Sequence, residues 1–205
     1  MEKSIKTILS VLLFSLCVTS VAEAKLPASW PEFKQEYQTE AMTPQGALTM
    51  LFKGVFCYTK AVQTKNNQLK IDAGKMIRYA LHSETPIESS VVYSTFRERL
   101  NDPSYYYIFR SYCQGTSVEN SYQMDPENFV LNIGKLVDEG EREGKKYCQL
   151  FLRSTGADTI RYVRQTKFQD GLWYTTTPHC VYLDTRKPKS YIMDHLHDHD
   201  PDYDR

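Results

Sequence analysis

The sequence has no excess of charge of either sign: 25 Lys and Arg balance 25 Asp and Glu over 205 residues. That balance argues against a nucleic-acid or anionic-membrane partner reached by bulk charge. The short strings that name a reaction are also missing. There is no Gly-x-Ser-x-Gly, no His-Glu-x-x-His, no Walker loop and no Gly-x-Gly-x-x-Gly, so no catalytic residue is marked by a local motif. No Cys-x-x-Cys occurs, and the wide cysteine spacing gives no zinc-knuckle signature. Beyond the N-terminus no apolar run reaches the roughly 20 residues of a stable membrane span.

What is present begins with an export pattern. Lys3 and Lys6 precede an apolar run over residues 7–18, and the small residues Ala22 and Ala24 stand at positions −3 and −1 ahead of Lys25. These are the three zones of a secretory signal, so residues 1–24 are expected to be removed by cleavage after Ala24, leaving a periplasmic or secreted protein. Lipid attachment at Cys17 is the alternative. Leu16, however, stands directly before Cys17, where a lipoprotein signal requires Gly, Ala or Ser. Cleavage leaves Cys57, Cys113, Cys148 and Cys180. An oxidising compartment permits two disulfides among them in three connectivities, and buried free thiols are the other reading.

The mature chain has the size of one domain. Residues 25–43 read as a polar lead-in that lays Trp30, Phe33 and Tyr37 on the domain, residues 44–186 as a single α+β domain, and residues 187–205 as a flexible tail rich in His and Asp. Thr43 and Pro44 are an N-cap and first-turn pair. Ala47, Leu48, Leu51, Phe52, Val55 and Tyr58 then follow at helical spacing, which predicts the principal core helix. Further helices are predicted over residues 72–81 and 91–100, ended by Asn101, Asp102 and Pro103. Residues 104–126 read as a loop carrying five tyrosines, out of 15 Tyr, 9 Phe and 2 Trp in the chain. Period-two patterning then predicts strands at 129–133, 146–153, 159–168, 172–176 and 179–183, with Asp170-Gly171 as a hairpin signal. The architecture expected is N-terminal helices packed on a C-terminal antiparallel β-sheet meander.

Four strings carry a resemblance: Gln45 to Met50, Gly115 to Tyr122, Gly156-Ala157-Asp158, and Gly171 to Tyr174. In that order and spacing they resemble an uncharacterised bacterial family, domain of unknown function 6935, over about residues 42–188. This chain departs from the family pattern where Asn120-Ser121-Tyr122 lacks a second Asn and where the stretch from Gly156 to Tyr162 lacks both prolines. The family has no assigned activity, so the resemblance implies a fold and no mechanism. The element order is also similar to cone-shaped, nuclear-transport-factor-like domains, a superfold that hosts both enzymes and binders.

Candidate site residues follow from position. Asn120, Tyr122, Arg153, Asp158 and Arg161 flank strand ends and can converge on one rim, where an Asp158 ion pair with Arg161 or Arg153 would close a loop or fork a carboxylate ligand. Turn capping by Asn120 and Asp158 is the architectural reading of the same residues. Trp173 and the tyrosine-rich loop could form an aromatic platform for a glycan, a peptide or a cell-wall fragment. Cys113 and His179 can be written as a thiol and imidazole pair, but nothing local marks either as activated. His195, His197 and His199 stand two residues apart among Asp194, Asp198, Asp200 and Asp202, a spacing that suits zinc, copper or nickel in an extended tail. The function expected is a non-catalytic exported binding or interaction domain. Its ligand would be a small molecule, a glycan or an envelope protein near Asn120, Tyr122, Asp158, Arg161 and Trp173. The alternatives are a small hydrolase or isomerase using Asp158 as base, metal binding through the tail, and an envelope component with no ligand.

Overall fold

Thr43 and Pro44 open the helix on which everything else packs. In the computed structural model, which describes residues 25–194, Thr43 Oγ1 accepts a hydrogen bond from Gly46 N at 3.0 Å and helix α2 runs over Pro44–Gln63. The residues expected to form a secretory signal, with Cys17, and His195, His197 and His199 lie outside the described residues. All six residues predicted to face the core from α2 are buried, and so are Met50, Phe56 and Cys57. A helix buried on almost every side belongs at the centre of a domain, and each large apolar side chain there stabilises it by about 1.5–3 kcal/mol. Its one buried charge, Lys53, is paired with Glu36 of the preceding helix.

That preceding helix, α1 over Trp30–Glu40, replaces the expected irregular lead-in. Ser29 caps it by accepting from Glu32 N at 3.4 Å, and Glu32 reaches back one residue beyond the cap, to Ala28 N at 2.8 Å, close to the reciprocal bonding of a Ser-x-x-Glu string. Phe33 and Tyr37, four residues apart, are both fully buried. Just before it, Leu26 N donates to Glu127 at 3.2 Å while Lys60 holds the same carboxylate at 2.6 Å, so the start of the described chain is tied to the end of α2.

Helix α3 spans Asn67–Ala80 and starts earlier than predicted because Asn66 Oδ1 caps Leu69 N at 3.0 Å. Helix α4, Ser94–Asn101, starts later, since Val91 and Val92 are 87% and 70% exposed and have no face to bury. The tyrosine segment read as loop is a 3-10 turn, Pro103–Tyr105, followed by a short helix α5, Tyr106–Arg110. A last short helix, α6 at Lys189–Asp194, begins within the stretch read as a flexible tail.

The sheet is antiparallel in the order β1-β2-β3-β4: β1 Ile133–Arg142, β2 Lys145–Leu152, β3 Arg161–Lys167 and β4 Trp173–Thr177. Helix α2 lies across β4 and β2, which gives the α+β architecture expected from the sequence as an open meander. Two of the five predicted strands are corrected. Residues 129–132 make only a single bridge, Cys113 to Leu131, and the first full strand begins at Ile133. Strand β1 escaped the period-two search because it is an edge strand rich in charge and glycine and mostly exposed, as unpaired edges tend to be. Residues 179–183 are a 3-10 turn, His179–Tyr182. Cys180, Val181 and Tyr182 are buried in succession, which alternating strand faces cannot do, and Pro178 precedes them.

The joint between α1 and α2 sets the register of the helical layer. A Cβ on Gly46 would stand 1.8 Å from the Glu40 carbonyl oxygen. Gly46→Ala must therefore push the two helices apart, with an expected loss of about 1–3 kcal/mol, measured by urea unfolding. A loss below about 0.5 kcal/mol would show that the joint is slack.

Candidate ligand-binding groove

Helix α3 ends in a Schellman motif: His82 N donates to Tyr79 O at 2.9 Å and Ser83 N to Arg78 O at 3.0 Å. His82 takes the left-handed conformation this motif needs, at φ 50. The turn lays its imidazole flat on Phe168, 3.8 Å between ring centres at 7°, and edge-on to Tyr174 at 4.6 Å. Behind it the rings continue inward. Tyr79 meets Tyr174 at 5.7 Å and Trp30 at 5.4 Å, both edge-to-face, and Tyr37 stacks on Tyr174 at 5.4 Å. Such pairs add about 0.5–1.5 kcal/mol each beyond area burial.

These rings form one side of an open groove of about 520 Å³ between α1, the end of α3 and the β3–β4 hairpin, lined by Trp30, Tyr79, His82 and Tyr174. Lys75, Arg78, Glu84 and Asp170 stand around it. Asp170 is partly committed: its carboxylate accepts from Leu172 N at 3.0 Å and from the Tyr174 hydroxyl at 2.6 Å. Burial, reinforced by the bond to Asp170, raises the pKa of the Tyr174 phenol well above its ordinary value, so it remains a proton donor. A second, smaller hollow of about 320 Å³ adjoins the groove and shares Lys75 and Arg78 with it. Flat apolar rings beside convergent polar groups are the usual makings of a small-ligand site.

The residues singled out from sequence lie elsewhere, and most of them hold the chain's own segment 183–190. The Tyr122 hydroxyl donates to Arg186 O at 2.8 Å. Arg161 donates to Leu183 O at 2.9 Å, to Asp184 O at 2.5 Å and to the Tyr112 hydroxyl at 2.8 Å. Asn120 is spent inside its own loop, accepting from Ser117 N and donating to Gly115 O, each at 2.8 Å. Asp158 is exposed and pairs with Arg186 at 3.4 Å rather than with Arg161 or Arg153. Arg153 is exposed, and its backbone N–H bonds Asn132 O at 3.0 Å. Trp173 does not join this group: its ring packs on the core and its backbone bonds Ala41 and Tyr37. Of the groove residues, Tyr79 and His82 carried no sequence signal. Tyr174 lay in a resemblance string, and Trp30 was read only as a packing residue.

A family model described as Domain of unknown function (DUF6935) matches residues 25–189. The chain belongs to this family. No curated protein and no solved structure matches it. Two glycines of the strings that carried the family resemblance have a packing reason. Gly46 lets α1 meet α2, and at Gly156 a Cβ would stand 2.0 Å from the Tyr122 hydroxyl and 2.4 Å from Thr185 Oγ1. The family pattern is therefore, at these positions, a record of close approach.

The cysteines take no part in either arrangement. Cys57, Cys113, Cys148 and Cys180 are free and buried, so the free-thiol reading holds over the disulfide one. Burial pushes each thiol up to about 12. A thiol at that value is neither a nucleophile nor a ready oxidation target at neutral pH, which removes the Cys113 and His179 pairing. Iodoacetamide at pH 8 is expected to leave these four cysteines unmodified in the folded protein and to alkylate all four in guanidinium, read by peptide mass spectrometry. Rapid labelling of Cys113 in the folded state would contradict the assignment.

Proposed function

We propose that this member of the family is an exported, non-catalytic binding domain whose ligand is a glycan chain laid along the groove beside Trp30, Tyr79 and His82. The observation that carries this reading is the groove's composition. Aromatic faces suit the apolar face of a sugar ring, and the charged groups around them suit its hydroxyls. The adjoining hollow, divided from the groove only by Lys75 and Arg78, favours a chain of sugars over a single one. The catalytic alternative with Asp158 as base draws less support. A working base sits in a site that shifts its pKa and shields it from water, whereas Asp158 is exposed beside Arg186, which is also exposed. The export component rests on the signal pattern of residues 1–24.

Titration of chitotetraose and of soluble peptidoglycan fragments is expected to shift the Trp30 indole and Tyr79 ring resonances. Trp30→Ala should weaken binding by about tenfold or more. His82→Gly, which keeps the Schellman turn and removes the imidazole, should weaken it less. Absence of any shift at Trp30 across both glycans would remove the reading. The export component has its own check, because N-terminal sequencing of the protein recovered outside the cytoplasm should begin at Lys25. A product retained in the cytoplasm with Met1 still attached would refute it.

A further inference from the structure

The tyrosine-rich segment after α4 does not present an open platform, and its rings divide into two sets. Tyr106 and Tyr112 point inward, their hydroxyls donating to Leu100 O at 3.0 Å and Cys180 O at 2.5 Å. Tyr105 and Tyr107 instead face a cation of the chain itself. Lys187 Nζ lies 5.5 Å from the Tyr105 ring centre, 5.3 Å from that of Tyr107 and 4.7 Å from that of Tyr191. One ring within about 6 Å of an ammonium is commonplace, but three around a single nitrogen make the cage by which proteins recognise lysine-type and quaternary ammonium groups.

Two further features mark the cage as built. Arg99 lies over Tyr105 with its guanidinium carbon 3.6 Å from the ring centre, and Asp184, on the same strap as Lys187, pairs with Arg99 at 3.5 Å. The buried Tyr107 hydroxyl interacts with the Lys187 ammonium, so the lysine is held by that hydroxyl as well as by the rings. The backbone on either side of Lys187 is fastened. Arg186 N donates to Gly156 O at 2.9 Å, Lys189 N to Val118 O at 2.9 Å and Ser190 N to Ser121 Oγ at 3.0 Å. The strap can therefore stay in place while only the lysine side chain swings out, and the half-exposed Lys187 regains rotamer freedom when it does.

We propose that Tyr105, Tyr107 and Tyr191 form an alkylammonium-recognition cage that Lys187 closes in cis, and that its ligand in trans is a quaternary ammonium group. A quaternary ammonium is less strongly hydrated than the lysine it replaces, which lets it compete for the same faces. The site is separate from the glycan groove and does not depend on it.

The test uses the full chain and tetramethylammonium chloride as probe. In Lys187→Ala the cage is open, and saturable shifts of the Tyr105 and Tyr107 ring resonances are expected at concentrations about tenfold or more below those the unaltered protein needs. The shifts should vanish in Lys187→Ala combined with Tyr105→Leu, and weaken when it is combined with Tyr191→Ala, whose exposed ring can be removed without entering the core. Two further probes distinguish the ligand's source: free choline and phosphocholine vesicles. Binding of either to Lys187→Ala, lost with Tyr105→Leu, supports the proposal and names the source. If Lys187→Ala binds tetramethylammonium no better than the unaltered protein, or if binding survives both tyrosine changes, the proposal fails.

Discussion

The structure depends on one helix being apolar nearly all the way round. Because α2 has almost no face to give to water, it must be covered on all sides, by α1 and α3 along its flanks, by α4 and α5 near Tyr58 and Phe52, and by the sheet. Its cover is made of elements too short or too polar to hold together by themselves. Helix α1 has only Phe33 and Tyr37 to bury, α4 only Phe96 and Leu100, and β1 is mostly exposed. Burial against α2 supplies what local propensity does not. The close approach at Gly46 then fixes where along α2 that cover begins.

The abundance of tyrosine follows from the same architecture. A central helix wrapped by short segments leaves many chain ends and turns at the rim of the core, where backbone carbonyls need donors. Tyrosine brings a large apolar ring with one donor at its tip. Four buried tyrosines serve in this way: Tyr37 to Trp173 O, Tyr106 to Leu100 O, Tyr112 to Cys180 O and Tyr122 to Arg186 O. Three of these bonds join segments more than 60 residues apart. The groove and the cation cage are made from the rings left over at the edges of this system, which is why both are aromatic.

The fold class was legible from pattern because α2 is a long apolar run with helical spacing behind a Thr-Pro start and β2 alternates between its two faces over its whole length. What escaped lacked such a pattern. The 179–183 run looked like a strand because Val181 and Tyr182 are strand formers between Cys180 and Leu183, yet the Arg161 guanidinium gathers carbonyls at 180, 183 and 184 and curls the chain into a 3-10 turn. The residues Tyr122, Asp158 and Arg161 stood out in the sequence as polar groups around strand ends, while Asn120 serves only its own loop. The partner of those three did not, because the segment they hold comes from residues 183–190, which carry no periodic signal.

The sequence by itself determined the Thr43 cap, the central helix, the order of helices before strands and the family, since each is carried by short strings of neighbouring residues. Tertiary structure decided which tyrosines point inward, which line the groove and which surround Lys187. Those outcomes depend on contacts across 49 to 137 residues of chain, such as Arg161 to Tyr112 and Tyr37 to Tyr174. Tyrosine looks the same in sequence whether its ring ends in the core, in a groove or against a cation, and only the packing around α2 tells these fates apart.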